Sequence, residues 1–491
     1  DPNHFMHNSK LIHYLSQLDH FQLQRFQDFV ASPYFNKHEN TKALLAYILD
    51  ADSWEAASLE KRRAFAAIFP NRVYESQLLS NLISYLLRLF RQFLAQEHFS
   101  TQEAEQTLAL LEQASTKGQV KLFELAANRW ERQQASYPLQ DGVYHFAAYR
   151  YQQVRNDFDL RQGSRFDGHR LAQADAHFDY YLISEKLRLA CEMLARSQVT
   201  GQTYELPLTH HLLPFLEARK AHFKTIPAVW LYLLIFRMIR DDQAREYFEL
   251  KDRLQQDAQY FSAAEGRDLY TYSLNYCIRR LNYGESAFRR ETFELYQQML
   301  STGLLHRSGI LPTWDYTNIV SLGCDLQEYE RTYRFIEEQK DQLPNNERQN
   351  TYTYNLAVYE YQQQHYDKAI QLLHQVEFTE VYYNLLVRIL RLKIYFEQGD
   401  QEALLYLLDT FRIYLLRNRQ IADNRRRSAL NLLRFTKKLA RLTEDAQLIS
   451  SRPFHQALRR FEEQIQDHKR LTNKAWLLTQ VRRLREEFPE S

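Results

Sequence analysis

Residues 351–411 read TYTYNLAVYEYQQQHYDKAIQLLHQVEFTEVYYNLLVRILRLKIYFEQGDQEALLYLLDTF. Small and apolar residues recur here at one interval. Ala369 and Ala403 are 34 residues apart, as are Leu356 and Leu390, Tyr361 and Tyr395, and Leu373 and Leu407. A fixed period of this length is the mark of stacked helical hairpins. The alanines are expected on the second helix of each hairpin, where a larger side chain would hold the two helices apart.

The segment YNLAVYEYQQQHYDKAIQLL resembles the tetratricopeptide repeat. It carries that family's Leu-small pair at Leu356 and Ala357, its Tyr-Asp-x-Ala turn at Tyr366, Asp367 and Ala369, and a large residue at Leu373. Gln364 stands where the family usually has glycine. Upstream, GCDLQEYERTYRFIEEQKDQLP reads as a third copy, with Thr332 in the alanine place and Pro344 closing its second helix. The resemblance is good over 318–411 and weak over 225–317. It implies that the first helix of each hairpin faces a concave groove that binds peptides. Carried over by position, the groove residues are Tyr354, Val358, Tyr361, Arg388, Leu392 and Tyr395. The Lys/Asn pattern by which some members clamp a peptide carboxylate is absent from these positions. Large side chains at helical spacing equally suit packing between helices.

The whole chain agrees with a helical reading. It has 491 residues, too many for one compact core, so several modules or an extended solenoid are expected. Glycine and proline number only 11 each, too few for the many turns of a β-rich fold. The 33 Tyr, 30 Phe and 5 Trp suit aromatic packing between helices. Cys191, Cys277 and Cys324 are widely spaced and odd in number, which fits neither a disulfide framework nor a zinc site. A reduced, cytoplasmic setting is the simplest expectation. The longest apolar runs are too short to span a bilayer, so no membrane insertion is expected. The residues DPNHF before Met6 are expected to be an appended remnant.

Along the chain, helices are expected over 8–31, from Asn36 to Leu49 with Asn36 and Glu39 as a capping box, over 58–69 behind a serine cap, and over 75–97. Four more are expected across 102–197. The proline-rich stretch 201–225 reads as a hinge. Regular hairpins are expected from 226, and three helices after 411 as a cap, because terminal repeats need an atypical outer face. The fold class is therefore all-α: a tetratricopeptide-like superhelical α-solenoid. The expected domains are an N-terminal helical bundle (1–98), helical hairpins (99–224), repeats (225–420) and basic C-terminal capping helices (421–491).

The chemistry of common enzymes is missing from the sequence. Phosphate and dinucleotide loops need clustered glycines, which are not found, and no G-x-S-x-G occurs. His38-Glu39 does not continue as a zincin helix, and the adjacent pair His210-His211 would point to different faces of a helix. No catalytic residue, metal or cofactor is assigned, and an enzyme is not expected.

Charge is uneven. From Phe411 to Ser491 there are 19 Lys/Arg against 9 Asp/Glu, although the chain's net charge is only +2. On the expected helix 423–442, Arg427, Arg434, Lys438 and Arg441 share one face and Leu432, Phe435, Leu439 and Leu442 the other. A cationic stripe of this kind is either a solvated face or a patch for phosphates or an acidic protein. Residues 43–94 also resemble the three-helix core of response-regulator-type winged-helix domains, through ALLAYIL, LEKRRAFAAIFPN and LLSNLISYLLRLFRQFL. That resemblance implies DNA binding. No strand pair follows to make a wing, and Glu75 at the start of the would-be recognition helix would oppose phosphates. The leading expectation is a protein- or peptide-binding scaffold. The alternative is a nucleic-acid-binding regulator using 43–94 or the basic C-terminal helices.

Overall fold

The computed structural model describes residues 6, 9–51, 54, 59–163, 168–376, 381–446, 451–468 and 471–489. Among these residues the fold is all-α. There is no β-strand; an isolated bridge joins Arg307 and Ile310. The chain divides into two compact units, Asp1–Lys186 and Leu187–Ser491.

The first unit opens with α1 (Lys10–Leu15), α2 (His20–Ala31), α3 (Glu39–Leu49), α4 (Lys61–Ile68) and α5 (Ser76–Thr101). These five enclose one core of Leu15, Phe26, Leu44, Ile48, Phe65, Leu86 and Phe93. Phe26 meets Phe90 edge-on at 5.3 Å, a favoured geometry for aromatic pairs. An N-terminal helical bundle is thus formed, with α3, α4 and α5 in mutual contact. The expected capping box at Asn36 and Glu39 does not form. His38 is the N-cap of α3 and makes no side-chain cap bond. Asn36 is instead buried, donating to the Val30 carbonyl of α2 at 2.9 Å and accepting from the His38 amide at 3.0 Å. The open carbonyl near the C-terminus of α2 competes for that side chain and wins because it would otherwise be a buried orphan. The expected serine cap of α4 lies outside the described residues, and Glu60 precedes the helix.

The rest of the unit is α6 (Glu103–Thr116), α7 (Val120–Ser136), α8 (Gly142–Arg161) and the first part of α9 (Gly168–Thr200). Here α6, α7 and α8 share a second core, in which Phe123 stacks on Phe158 at 3.6 Å and Trp130 on Tyr151 at 5.3 Å. The stretch after α5 is helical, so no wing strands follow the three-helix core among the described residues.

The second unit continues with α10 (Pro207–Ala218), α11 (Lys220–Phe223), α12 (Pro227–Asp241), α13 (Ala244–Asp257), α14 (Ala263–Asn282), α15 (Phe288–Ser301), α16 (Thr313–Asp325) and α17 (Tyr329–Gln339). It closes with α18 (Arg348–Gln362), α19 (Tyr366–His374), α20 (Val381–Gln398), α21 (Gln401–Arg417), α22 (Asp423–Asp445), α23 (Ser451–Asp467) and α24 (Lys474–Glu487). The stretch 201–225, expected to be irregular, is mostly helical. Pro207 occupies the first helical position of α10, where its missing N–H costs nothing, and Pro227 does the same for α12. In α12 every residue from Pro227 to Phe236 is buried, as a helix apolar on all sides must be.

Successive helices pair as hairpins, and the same turn closes several of them. Between α16 and α17 Gln327 is left-handed (φ 60°), between α18 and α19 Gln364 (φ 62°), and between α20 and α21 Gly399 (φ 71°). In each, the following residue's amide reaches back five positions: Glu328 to Gly323, His365 to Glu360 and Asp400 to Tyr395, at 2.9–3.0 Å. This is the Schellman arrangement, which satisfies carbonyls that the helix end leaves open. Gly284, between α14 and α15, repeats it. Adjacent hairpins touch through their first helices, α12 with α14, α16 with α18 and α18 with α20. The small positions are packed tight. Ala369 is fully buried, and a Cβ at Gly323 would fall 2.1 Å from the Thr332 hydroxyl across the α16–α17 hairpin.

Two outcomes are expected from this packing. Gln364→Gly relieves a left-handed non-glycine residue and raises stability by about 1 kcal/mol in urea unfolding, whereas Gly399→Ala lowers it by about as much. Gly323→Ala is expected to cost about 1–3 kcal/mol, and adding Thr332→Ala to recover part of that loss, as overpacking predicts. A neutral Gly323→Ala variant would mean that the two helices are not in this close contact.

Candidate binding surface on the C-terminal helices

The six positions carried over as groove residues do not form an open wall. Leu392 is fully buried, Tyr354 and Val358 nearly so. Tyr354 meets Tyr383 edge-on at 6.5 Å, and Tyr395 packs against the core shared by α20 to α24. The Arg388 guanidinium lies 4.4 Å above the Tyr414 ring. Tyr361 is turned inward to donate its hydroxyl proton to Glu397. The 34-residue recurrence at these positions therefore serves contact between helices.

Glu397, near the C-terminus of α20, is the polar centre of this region, with its side chain only 6% exposed. Oε1 accepts from the Tyr361 hydroxyl at 2.6 Å, Trp476 Nε1 at 2.6 Å and Gln480 Nε2 at 3.0 Å. Oε2 accepts from the Tyr366 hydroxyl at 2.7 Å and lies 3.6 Å from the Arg483 guanidinium. The carboxylate thus joins α18, α19, α20 and α24. Burial, followed by the hydrogen bond to Glu397, pushes the Tyr366 hydroxyl up to about 12. Burial also pulls the Lys393 ammonium down to about 8, against the attraction of Glu397 and Asp325.

An open cleft of about 660 Å³ lies between the first half of α20, the first turns of α22 and residues 471–473. Leu385, Leu386, Ile389, Ala429 and Leu471 give it an apolar floor, and Asn424, Arg425, Ser428, Thr472 and Asn473 a polar rim. Sequence reasoning missed it, because its lining joins positions that no repeat spacing relates. The one local signal was the apolar surplus of α20, which carries Leu385, Leu386 and Ile389 beside Leu392.

On its outward face α22 carries the cationic stripe. Arg427, Arg434, Lys438 and Arg441 are all exposed, and Leu432, Phe435, Leu439 and Leu442 are buried. A second cleft, of about 500 Å³, lies between α22 and α23 and is lined by Arg434, Phe435, Lys438, Gln464, Asp467 and His468. Arg434 approaches His468 Nε2 at 3.5 Å, and Lys438 donates to Gln464 Oε1 at 2.6 Å.

The three cysteines are buried, and burial pushes the thiols of Cys277 and Cys324 up to about 12, which keeps them protonated and unreactive. Among the described residues no group of three or more His, Cys, Asp and Glu side chains could hold a metal ion. No described helix is long and apolar enough to cross a membrane. One titratable pair escaped the sequence reading. In the first unit, His145 of α8 and His177 of α9 face each other with Nδ1 atoms 3.1 Å apart. Burial, and then the neighbouring His177, pull His145 down to about 3.

The described residues form an all-α protein with two solvent-accessible clefts on its C-terminal helices. No protein-family model matches the sequence, and neither does any curated protein.

Glu397→Ala is expected to lower stability by about 3–5 kcal/mol, since it orphans partly buried donors on three helices. Guanidinium unfolding measures this, and a loss below about 1 kcal/mol would show that the carboxylate is not the anchor. The His145 imidazole is neutral in the fold, so the unfolded chain takes up the proton first. Stability from this group is complete above about pH 6.5 and declines as pH falls toward 3. Nearby Asp141, raised by burial, acts in the opposite sense but is common to wild type and variant. His145→Gln is therefore expected to narrow the loss of stability between pH 7 and 4.5 by on the order of 2 kcal/mol, read from paired unfolding curves.

Proposed function

We propose that the protein is a non-enzymatic adaptor built on tetratricopeptide-like helical repeats, an α-solenoid of the cytoplasm that binds a peptide or protein segment. The observation that carries this reading is the cleft between α20 and α22, placed directly after consecutive hairpins closed by one recurring turn. Its apolar floor suits one or two apolar side chains of a bound segment. The amide and hydroxyl groups of Asn424, Ser428 and Asn473 on its rim suit that segment's backbone. Binding of this kind draws on apolar complementarity, and the net positive charge after residue 411 adds attraction for an acidic partner. The interior positions of the 34-residue pattern then hold the wall in shape and do not touch the ligand.

A photo-crosslinking residue at Ser428 tests this. The partner captured by the otherwise wild-type protein is expected to be lost with Leu386→Glu while the melting temperature is unchanged. Capture that survives Leu386→Glu would place the partner elsewhere.

A second reading, a nucleic-acid-binding regulator, is favoured by one observation: the exposed stripe of Arg427, Arg434, Lys438 and Arg441. Labelled DNA or RNA would then bind with an affinity that falls steeply as salt rises. An unshifted probe at low salt removes that reading.

A further inference from the structure

Several arginines of the second unit that meet another helix are neutralised there. Arg279 pairs with Asp242 at 2.8 Å, Arg290 with Glu328 at 2.5 Å and Arg485 with Glu462 at 2.5 Å, and Arg237 is bound to Glu217. Arg434 and Lys438 differ. Neither forms an ion pair among the described residues, yet both are held in place. The Arg434 guanidinium lies 5.2 Å from the centre of the Phe435 ring, and the Lys438 ammonium 5.3 Å from that of Phe461. Both rings are buried, so the cations rest on a rigid apolar base. Neutral Gln464 takes one proton of Lys438, and the His468 ring stands edge-on to Phe435 at 5.4 Å beside Arg434. Two ordered, uncompensated cations and an imidazole thus surround a cleft of about 500 Å³.

We propose that this cleft between α22 and α23 binds a phosphate monoester group. Arg434 and Lys438 are one helical turn apart, about 5–6 Å along the axis, a separation that one phosphate bridges. The guanidinium offers two parallel donors to two phosphate oxygens, and the ammonium meets the third as a point charge. A dianion neutralises both cations at once. The Asp467 carboxylate also lines the cleft and makes no ion pair there. It repels any second negative group, which favours a single compact anion over a strand of nucleic acid. Arg427 lies about 10 Å further along α22, beyond the reach of such a ligand. The assignment is independent of what the α20–α22 cleft takes.

The test is calorimetric titration of the full chain with inorganic phosphate and, separately, with O-phosphoserine. Saturable binding of either supports the proposal. Binding of both marks a site for the phosphate group itself, and binding of O-phosphoserine alone marks a site for the ester. Arg434→Gln and Lys438→Gln are each expected to weaken that binding at least tenfold. Arg427→Gln and Arg482→Gln, exposed cations outside the cleft, are expected to change it less than twofold. All four side chains are on the surface, and matched melting curves confirm that the variants fold. The proposal is overturned if neither ligand saturates, or if Arg427→Gln or Arg482→Gln weakens binding as much as Arg434→Gln, since diffuse surface charge would then be responsible.

Discussion

A single carboxylate holds the C-terminal half of the second unit to its last helix. Glu397 accepts hydrogen bonds from Tyr361, Tyr366, Trp476 and Gln480, and Arg483 stands close by. A charge with a side chain this little exposed is tolerable only when its lone pairs are filled. Here four donors fill them, from segments separated by up to 83 residues of chain. Apolar packing alone would let α24 slide against α20, because that attraction is not directional. The hydrogen bonds to Glu397 supply that direction and fix α24 against α18, α19 and α20.

Helix ends show the same economy. At Gln327, Gln364 and Gly399 the chain enters the left-handed region so that two amides can reach back into the preceding helix. Two of the three turns do this with glutamine, although a side chain there is strained. The paired helices must therefore offset the strain, and the close approach of Gly323 to Thr332 shows how tightly one of these pairs is drawn together. Asn36 shows the reverse case, a side chain diverted from one helix's start to another's end because the buried carbonyl there had no alternative.

Charge follows a similar division. Where arginines lie against a neighbouring helix in the second unit, carboxylates meet several of them. Along α22 the cations point outward and stay unmatched at Arg434 and Lys438, although the chain as a whole is nearly neutral. A helix with an apolar face toward the core and a cationic face outward is free to carry function on the second without disturbing the first. The peptide-adaptor and phosphate readings use different stretches of this one helix, its first turns and its middle.

What the residues determined by themselves is local. Low glycine and proline and helical periodicity made the all-α class and the succession of hairpins after residue 225 legible, since those signals act over one or two turns. The outward stripe of α22 was legible for the same reason: its face is set by the 3.6-residue period. The 34-residue interval correctly marked hairpins, but not which of their faces stay open. Tyr354 and Leu392 carry the spacing of groove residues and are buried, because burial depends on what the next hairpin brings against them. The clefts, the partners of Glu397 and the His145–His177 pair were decided only by the tertiary structure. Each joins side chains far apart in sequence, and no local rule relates residue 397 to residue 476.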